Sequence, residues 1–155
     1  MKQITTAMLD DLSRQARQSP RRRANLNLHP ELDDPIQRLA IAMEPDTCVR
    51  PHRHPHTWEL LYPLRGRFVV LCFDDDGRVA DRRILGEDSL MIENAAGVWH
   101  AVLSLDSGGV IFEVKHGPYQ AIALADHAPW SSDDATMLSW YAQAAIGDKA
   151  PGAPD

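Results

Sequence analysis

The stretch that most constrains this chain is PHRHPHTWELLYPLRG, residues 51–66, which sets two histidines and a glutamate at a spacing suited to a metal ion. His52 and His54 stand two residues apart, and on a strand the side chains at i and i+2 leave the same face. Both imidazoles can therefore address one ion. Pro55 interrupts regular pairing, a short loop passes through Thr57, and Glu59 opens the apolar run 60–64, the expected returning strand. On this reading Glu59 faces the two histidines across a hairpin.

A third imidazole would complete the set, and His100 is the best placed. It follows a turn built on Gly97 and enters the strand-length run 101–105. Three histidines and one glutamate suit one divalent transition metal, Fe, Mn, Ni, Co or Zn, and leave coordination positions open to water or substrate. Of the remaining histidines, His56 belongs to solvent or behind the ligands, while His29, His116 and His127 have no partner at ligand spacing.

These residues carry a family resemblance. His52-Arg53-His54, four residues, Glu59, six residues and Gly66 resemble the first cupin motif, and Ala95-Ala96-Gly97, two residues and His100 resemble the second. Ala95 stands where cupins usually have proline, Ser104 where they have asparagine and Asp46 where they have glycine, departures that touch turn stiffness and not ligation. Segments 19–29, 34–59 and 112–119 are similar to the WbuC-like small cupins, and the likeness extends over roughly residues 5–145. It implies an all-β fold, an antiparallel double-stranded β-helix or jelly-roll barrel with short N- and C-terminal helices, and a metal at the wider mouth. It also implies a homodimer, and a connection with O-antigen polysaccharide genes without an established reaction.

Composition bounds the rest. The 155 residues, 44% apolar and 25% charged, suit one soluble domain. A net charge of −6 argues against nucleic acid as a partner. The N-terminus lacks an uninterrupted apolar core and no stretch is long enough to span a membrane, so no membrane partner is expected. Two widely separated cysteines, Cys48 and Cys72, fit a reducing compartment, and the cytoplasm is the expected location.

Four units are expected along the chain: an amphipathic helix over 1–20, a single barrel over 21–121, a helical segment over 122–146 and a disordered tail over 147–155. Ile4, Met8, Leu9, Leu12 and Ala16 recur at helical spacing, and Pro20 ends the run. Arg21, Arg22 and Arg23 read either as a solvated helix end or as an anion clamp. In an extended segment Asn25, Asn27 and His29 share one face, where they line a polar cavity or satisfy loop backbone. The run LAIAM suggests a strand buried on both sides. Residues 48–54 are expected as the ligand strand, with Arg50 on the ligand face as a contact for a substrate anion or as a salt bridge to Glu59 or Glu113. The acidic run 74–76 with Gly77 reads as a hairpin turn and not as a calcium loop.

Glu113 and Lys115 alternate with Phe112 and Val114, and the plainer placement turns the apolar pair inward. The resemblance keeps the opposite placement open, with Glu113 as a general acid or base beside the metal and Tyr119 at the cavity mouth as a second proton carrier. Arg23, Asn25, Arg50 and Lys115 are then the candidate substrate contacts. The leading functional expectation is a metal-dependent isomerase, epimerase or dioxygenase acting on a small polar or anionic metabolite such as a sugar or sugar phosphate. A metal-dependent binding or sensor module without turnover is the alternative, and a structural metal pin comes third.

Overall fold

The computed structural model describes residues 1–132 and 135–154. Helix α1 (Thr6–Gln18) starts where the Thr5 hydroxyl accepts the Met8 amide and ends at Ser19, with Pro20 beyond. Its buried stripe includes Leu12 and Ala16. The strands that follow are β1 (Arg23–Asn27), β2 (Ile36–Met43), β3 (Glu59–Arg65), β4 (Phe68–Phe73), β5 (Val79–Leu85), β6 (Ile92–Asn94), β7 (Trp99–Ser104) and β8 (Gly109–His116). A 3-10 turn (Leu124–Asp126) and helix α2 (Ala135–Gln143) follow the last strand.

The strands form two antiparallel sheets, one ordered β1-β2-β8-β3-β6 and the other β5-β4-β7. Together they make the expected jelly-roll cupin fold. Strands β2, β4, β7 and β8 are covered on both faces over most of their length, which explains why LAIAM and FVVLCF read as nearly unbroken apolar runs. Met43, Leu61, Phe68, Val70, Val102 and Ile111 fill the space between the sheets. Outside the larger sheet, Ala40, Ala42 and Val110 meet Leu12 and Ala16 of α1. Outside the smaller one, Val69, Leu71, Phe73, Ala101 and Leu103 meet Trp130, Met137 and Tyr141 of the C-terminal segment.

Three expectations need correction. The ligand segment is not a strand: within 47–58 only His52 forms a bridge, since Pro51 and Pro55 lack the amide a ladder needs. Glu59 does not face the histidines across a hairpin, because β3 pairs with β6 and β8. Nor is 147–154 a disordered tail. The amides of Val79 and Ala150 bond to the carbonyls of Asp148 and Gly77, and Ala150 is buried against the Trp130 cluster. A tail short of apolar residues is ordered here by backbone bonds to β5 and the turn before it.

Candidate metal centre

The ligand candidates reach one point from both sheets. Glu59 opens β3 in the larger sheet, next to Asn94 on one side and Lys115 on the other. His100 lies on β7 of the smaller sheet, with its side chain on the inner face alongside Val102. His52 joins the outer edge of β7 through a pair of backbone bonds with His100, 3.0 and 2.8 Å long. His54 is held by its carbonyl, which accepts the amide of Gly97 at 2.9 Å. Gly97 adopts φ 80°, a left-handed conformation that favours glycine, so the turn before β7 also positions His54.

The four side chains then converge: one ligand atom from each of His52, His54, Glu59 and His100 lies within 4.8 Å of the others. His52 Nδ1 donates to the Arg50 carbonyl and His100 Nδ1 to the Val98 carbonyl, both at 2.9 Å. In the neutral ring these bonds place the lone pair on Nε2, the form a metal requires. His100 Nε2 is buried and lies 3.1 Å from Glu59 Oε2 without hydrogen-bond alignment. A buried nitrogen without a bonded partner, facing a carboxylate and two further imidazoles, fits a divalent ion.

Burial and mutual charge shape the protonation states. Burial, reinforced by His100, lowers the His52 imidazole to about 3. For Glu59 burial acts upward, but the His100 imidazole, the His54 hydrogen bond and Lys115 outweigh it and hold the carboxyl well below the usual range. Burial opposes protonation of His100 too, yet the Glu59 carboxylate prevails and raises its pKa.

Glu113 and Lys115 face the interior, and Phe112 packs outward beneath α1, so the plainer placement of this strand is reversed. The helix covers the outer face of β8, and the apolar side chain belongs there. Lys115 Nζ lies 2.6 Å from Glu113 Oε1 and 3.6 Å from Glu59 Oε1. Burial and the Glu59 charge push the Glu113 carboxyl up to about 7.

A cavity of about 1200 Å³ opens from the cluster. Arg23, Asn25, Arg50, Glu113, Lys115 and Tyr119 all line it. The Arg50 guanidinium bonds to Ser131 Oγ and to the Ala128 and Ser131 carbonyls, and Lys115 is the cation beside Glu59 and Glu113. Arg22 is pinned by Asp46, where a cupin would carry glycine, whereas Arg23 projects from β1 on the cavity side. Tyr119 is exposed at the rim.

Two nearby residues gave no signal in the sequence. His127 bridges His52 through the backbone, with ring centroids 6.4 Å apart. Asn94 pairs with Glu59 across the ladder and accepts the Cys72 thiol. Both depend on contacts between segments far apart in the chain, which spacing alone does not disclose.

Comparison with known proteins agrees with the architecture. A family model described as "Domain of unknown function (DUF6016)" matches residues 4–85, a span that includes His52, His54 and Glu59 but ends before His100. No curated protein matches the sequence. KdgF from Halomonas sp. superposes with a TM-score of 0.52 at 14% identity, over 66% of this chain and 84% of its own. TT1209 from Thermus thermophilus gives 0.51 at 20% identity, over 68% and 93%. An oxalate oxidase in complex with the substrate analogue glycolate gives 0.53 at 16% identity, over 68% and 56%. KdgF and the oxalate oxidase are cupin-fold proteins, and at such identities the likeness shows the fold alone.

Proposed function

We propose, for a chain that belongs to the DUF6016 family of domains of unknown function, that it is a metal-dependent cupin enzyme acting on a small polar or anionic metabolite such as a sugar or sugar phosphate. One observation carries this reading. Four ligand atoms lie within 4.8 Å of one another, and three of the residues that offer them, His52, His54 and Glu59, line a large cavity together with Glu113 and Lys115. When bound, a divalent metal of the Fe, Mn, Ni, Co or Zn type supplies Lewis-acid polarisation of a carbonyl or hydroxyl oxygen.

The chain's own groups do the rest. Glu113 carries a proton to or from the ligand, Lys115 orients that carboxyl, and Tyr119 serves as a second proton carrier at the rim. Arg23 and Asn25 hold the anionic end, while Arg50 contributes positive charge and braces the wall. Isomerisation or epimerisation fits these groups, as does dioxygen-dependent oxidation if the metal is iron. Likeness to the WbuC-like small cupins supports a sugar ligand and a place near O-antigen polysaccharide synthesis. The two cysteines, Cys48 and Cys72, stand far apart in the chain and outside any disulfide-dense pattern, which supports a cytoplasmic setting.

A binding or sensor module is the second reading, favoured by the close contact that holds Glu113 on Lys115. Elemental analysis of protein prepared without chelator, then supplied with Mn, Fe or Zn, tests the foundation. Close to one metal per chain is expected, and none after supplementation defeats both readings. NMR of metal-loaded protein with a panel of sugar phosphates and sugar acids then separates them. Conversion that is lost in Glu113→Gln while metal and ligand affinity persist establishes the enzyme; binding without conversion by the unaltered protein establishes the sensor.

A further inference from the structure

We infer that His29 is the recognition residue at the far end of a polar row that begins at the metal cluster, and that the site takes a hydroxyl-rich acid of sugar length. This rests on the metal-site reading above and adds the ligand's direction and extent.

The row is set by strand register. Glu59 pairs with Lys115, and Lys115 pairs with Gln37. The β1–β2 ladder continues beyond Asn27 through the Leu28 amide, which donates to the Arg38 carbonyl at 2.8 Å, and this brings His29 beside Gln37. Glu59, Lys115, Gln37 and His29 thus stand in sequence across the inner face. Neighbouring strands lie about 4.8 Å apart, so His29 is about 14 Å from Glu59 along the row. Side chains at both ends take up part of that length, and the remainder suits a sugar-length chain and not a two-carbon acid.

His29 carries an unmade donor at the margin of this space. It is only 4% exposed, and its Nδ1 accepts the Arg38 amide at 2.9 Å, the ladder position a backbone carbonyl would otherwise fill. Because Nδ1 accepts the Arg38 amide, the proton of the neutral ring resides on Nε2, and the Arg38 carbonyl, 3.0 Å from Nδ1, takes the Leu28 amide. That nitrogen is buried without a hydrogen-bond partner among the described residues, and His29 stands between the large cavity and a smaller cleft beside Lys2 and Met8. A buried donor left unmade is costly, and a ligand oxygen would satisfy it. Asn25 and Asn27 line the same cavity from β1. Together with Lys115 they favour a ligand that presents several oxygen acceptors.

The test compares gluconate with glycolate, which reaches the metal but not His29, by calorimetric titration into the metal-loaded full chain. Gluconate is expected to bind more tightly than glycolate. His29→Asn keeps an acceptor for the Arg38 amide and removes the Nε2 donor. It should weaken gluconate about tenfold, the worth of a neutral hydrogen bond, and leave glycolate affinity and metal content unchanged. His29→Gln, with its amide nitrogen near the lost Nε2, should retain most of the gluconate affinity.

Equal binding of the two acids by the unaltered protein, or no effect of His29→Asn on gluconate, overturns the inference. Should the variants fold poorly, the His29 Nε2–H resonance of the unaltered chain decides. It shifts with gluconate and not with glycolate if the inference holds, and the reverse or no shift refutes it. A chain that takes up no metal defeats the functional reading instead, and the same resonance titrated with gluconate in metal-free protein still decides the role of His29.

Discussion

His52 and His100 commit their Nδ1–H groups to backbone carbonyls, so the metal candidates are oriented before any ion arrives. His52→Ala or His100→Ala should therefore reduce metal content from near stoichiometric to below about a tenth, checked by elemental analysis with circular dichroism as a control for folding. Protonation gives a second expectation. In the metal-free protein Glu59 raises the pKa of His100, so the ion must displace a proton that an ordinary imidazole would already have begun to lose. Affinity should fall as pH drops through that raised value, and loading at neutral pH should release protons, measurable by calorimetry in buffers of different ionisation enthalpy. Glu113 behaves in the converse manner. Its folded-state pKa, about 7, exceeds the ordinary carboxyl value, so the associated stability is complete below the unfolded pKa and is lost as pH rises through about 7. Glu113→Gln should raise the melting temperature of metal-free protein at alkaline pH and change it little near pH 5.

Among the elements, the C-terminal segment connects the outer face of the smaller sheet to the site. Trp130 packs on Phe73 with ring centroids 5.0 Å apart, and a Cβ added to Gly152 would meet the Trp130 carbonyl at 2.3 Å. Residues 126–128 bond to 51–53, Arg53 pairs with Asp126 and stacks over Trp99, and Arg50 grips 128–131. The same segment thus covers the core and steadies the backbone of His52. Trp130→Ala should cost about 3–5 kcal/mol of stability, the usual range for removing a buried tryptophan. It should also weaken metal binding, and denaturant unfolding with a metal titration would show both. Helix α1 was legible from its apolar spacing because its packing face is written within one local run. The tail from 147 was not, since its partners Gly77 and Val79 lie far back in the chain.

For the molecule as a whole, a metal that binds the folded state and not the unfolded one must raise the melting temperature, by a stabilisation that grows with the logarithm of its free concentration over Kd. At a hundredfold excess over Kd the gain is about 2.7 kcal/mol, and removal by a chelator should lower melting accordingly. No helix among the described residues is long and apolar enough to cross a membrane. Edge strand β6 carries exposed Leu90 and Met91 just before it, and we propose that two copies of the chain pair at this edge, as the resemblance implies. Light scattering is expected to give twice the chain mass.

Legible in the sequence alone were the cupin-type fold and the four residues that converge on one point. Both are written in short-range spacing: paired histidines, a glutamate five residues on, and a glycine turn ahead of the third imidazole. Tertiary structure decided how the set is assembled. Glu59 comes from one sheet and His100 from the other, and prolines keep the segment of His52 and His54 out of regular pairing. It also decided which face of β8 turns inward. Alternation in a strand covered on both sides names two faces without saying which is the interior, and α1 settled that by covering Phe112 and leaving Glu113 and Lys115 to the cavity.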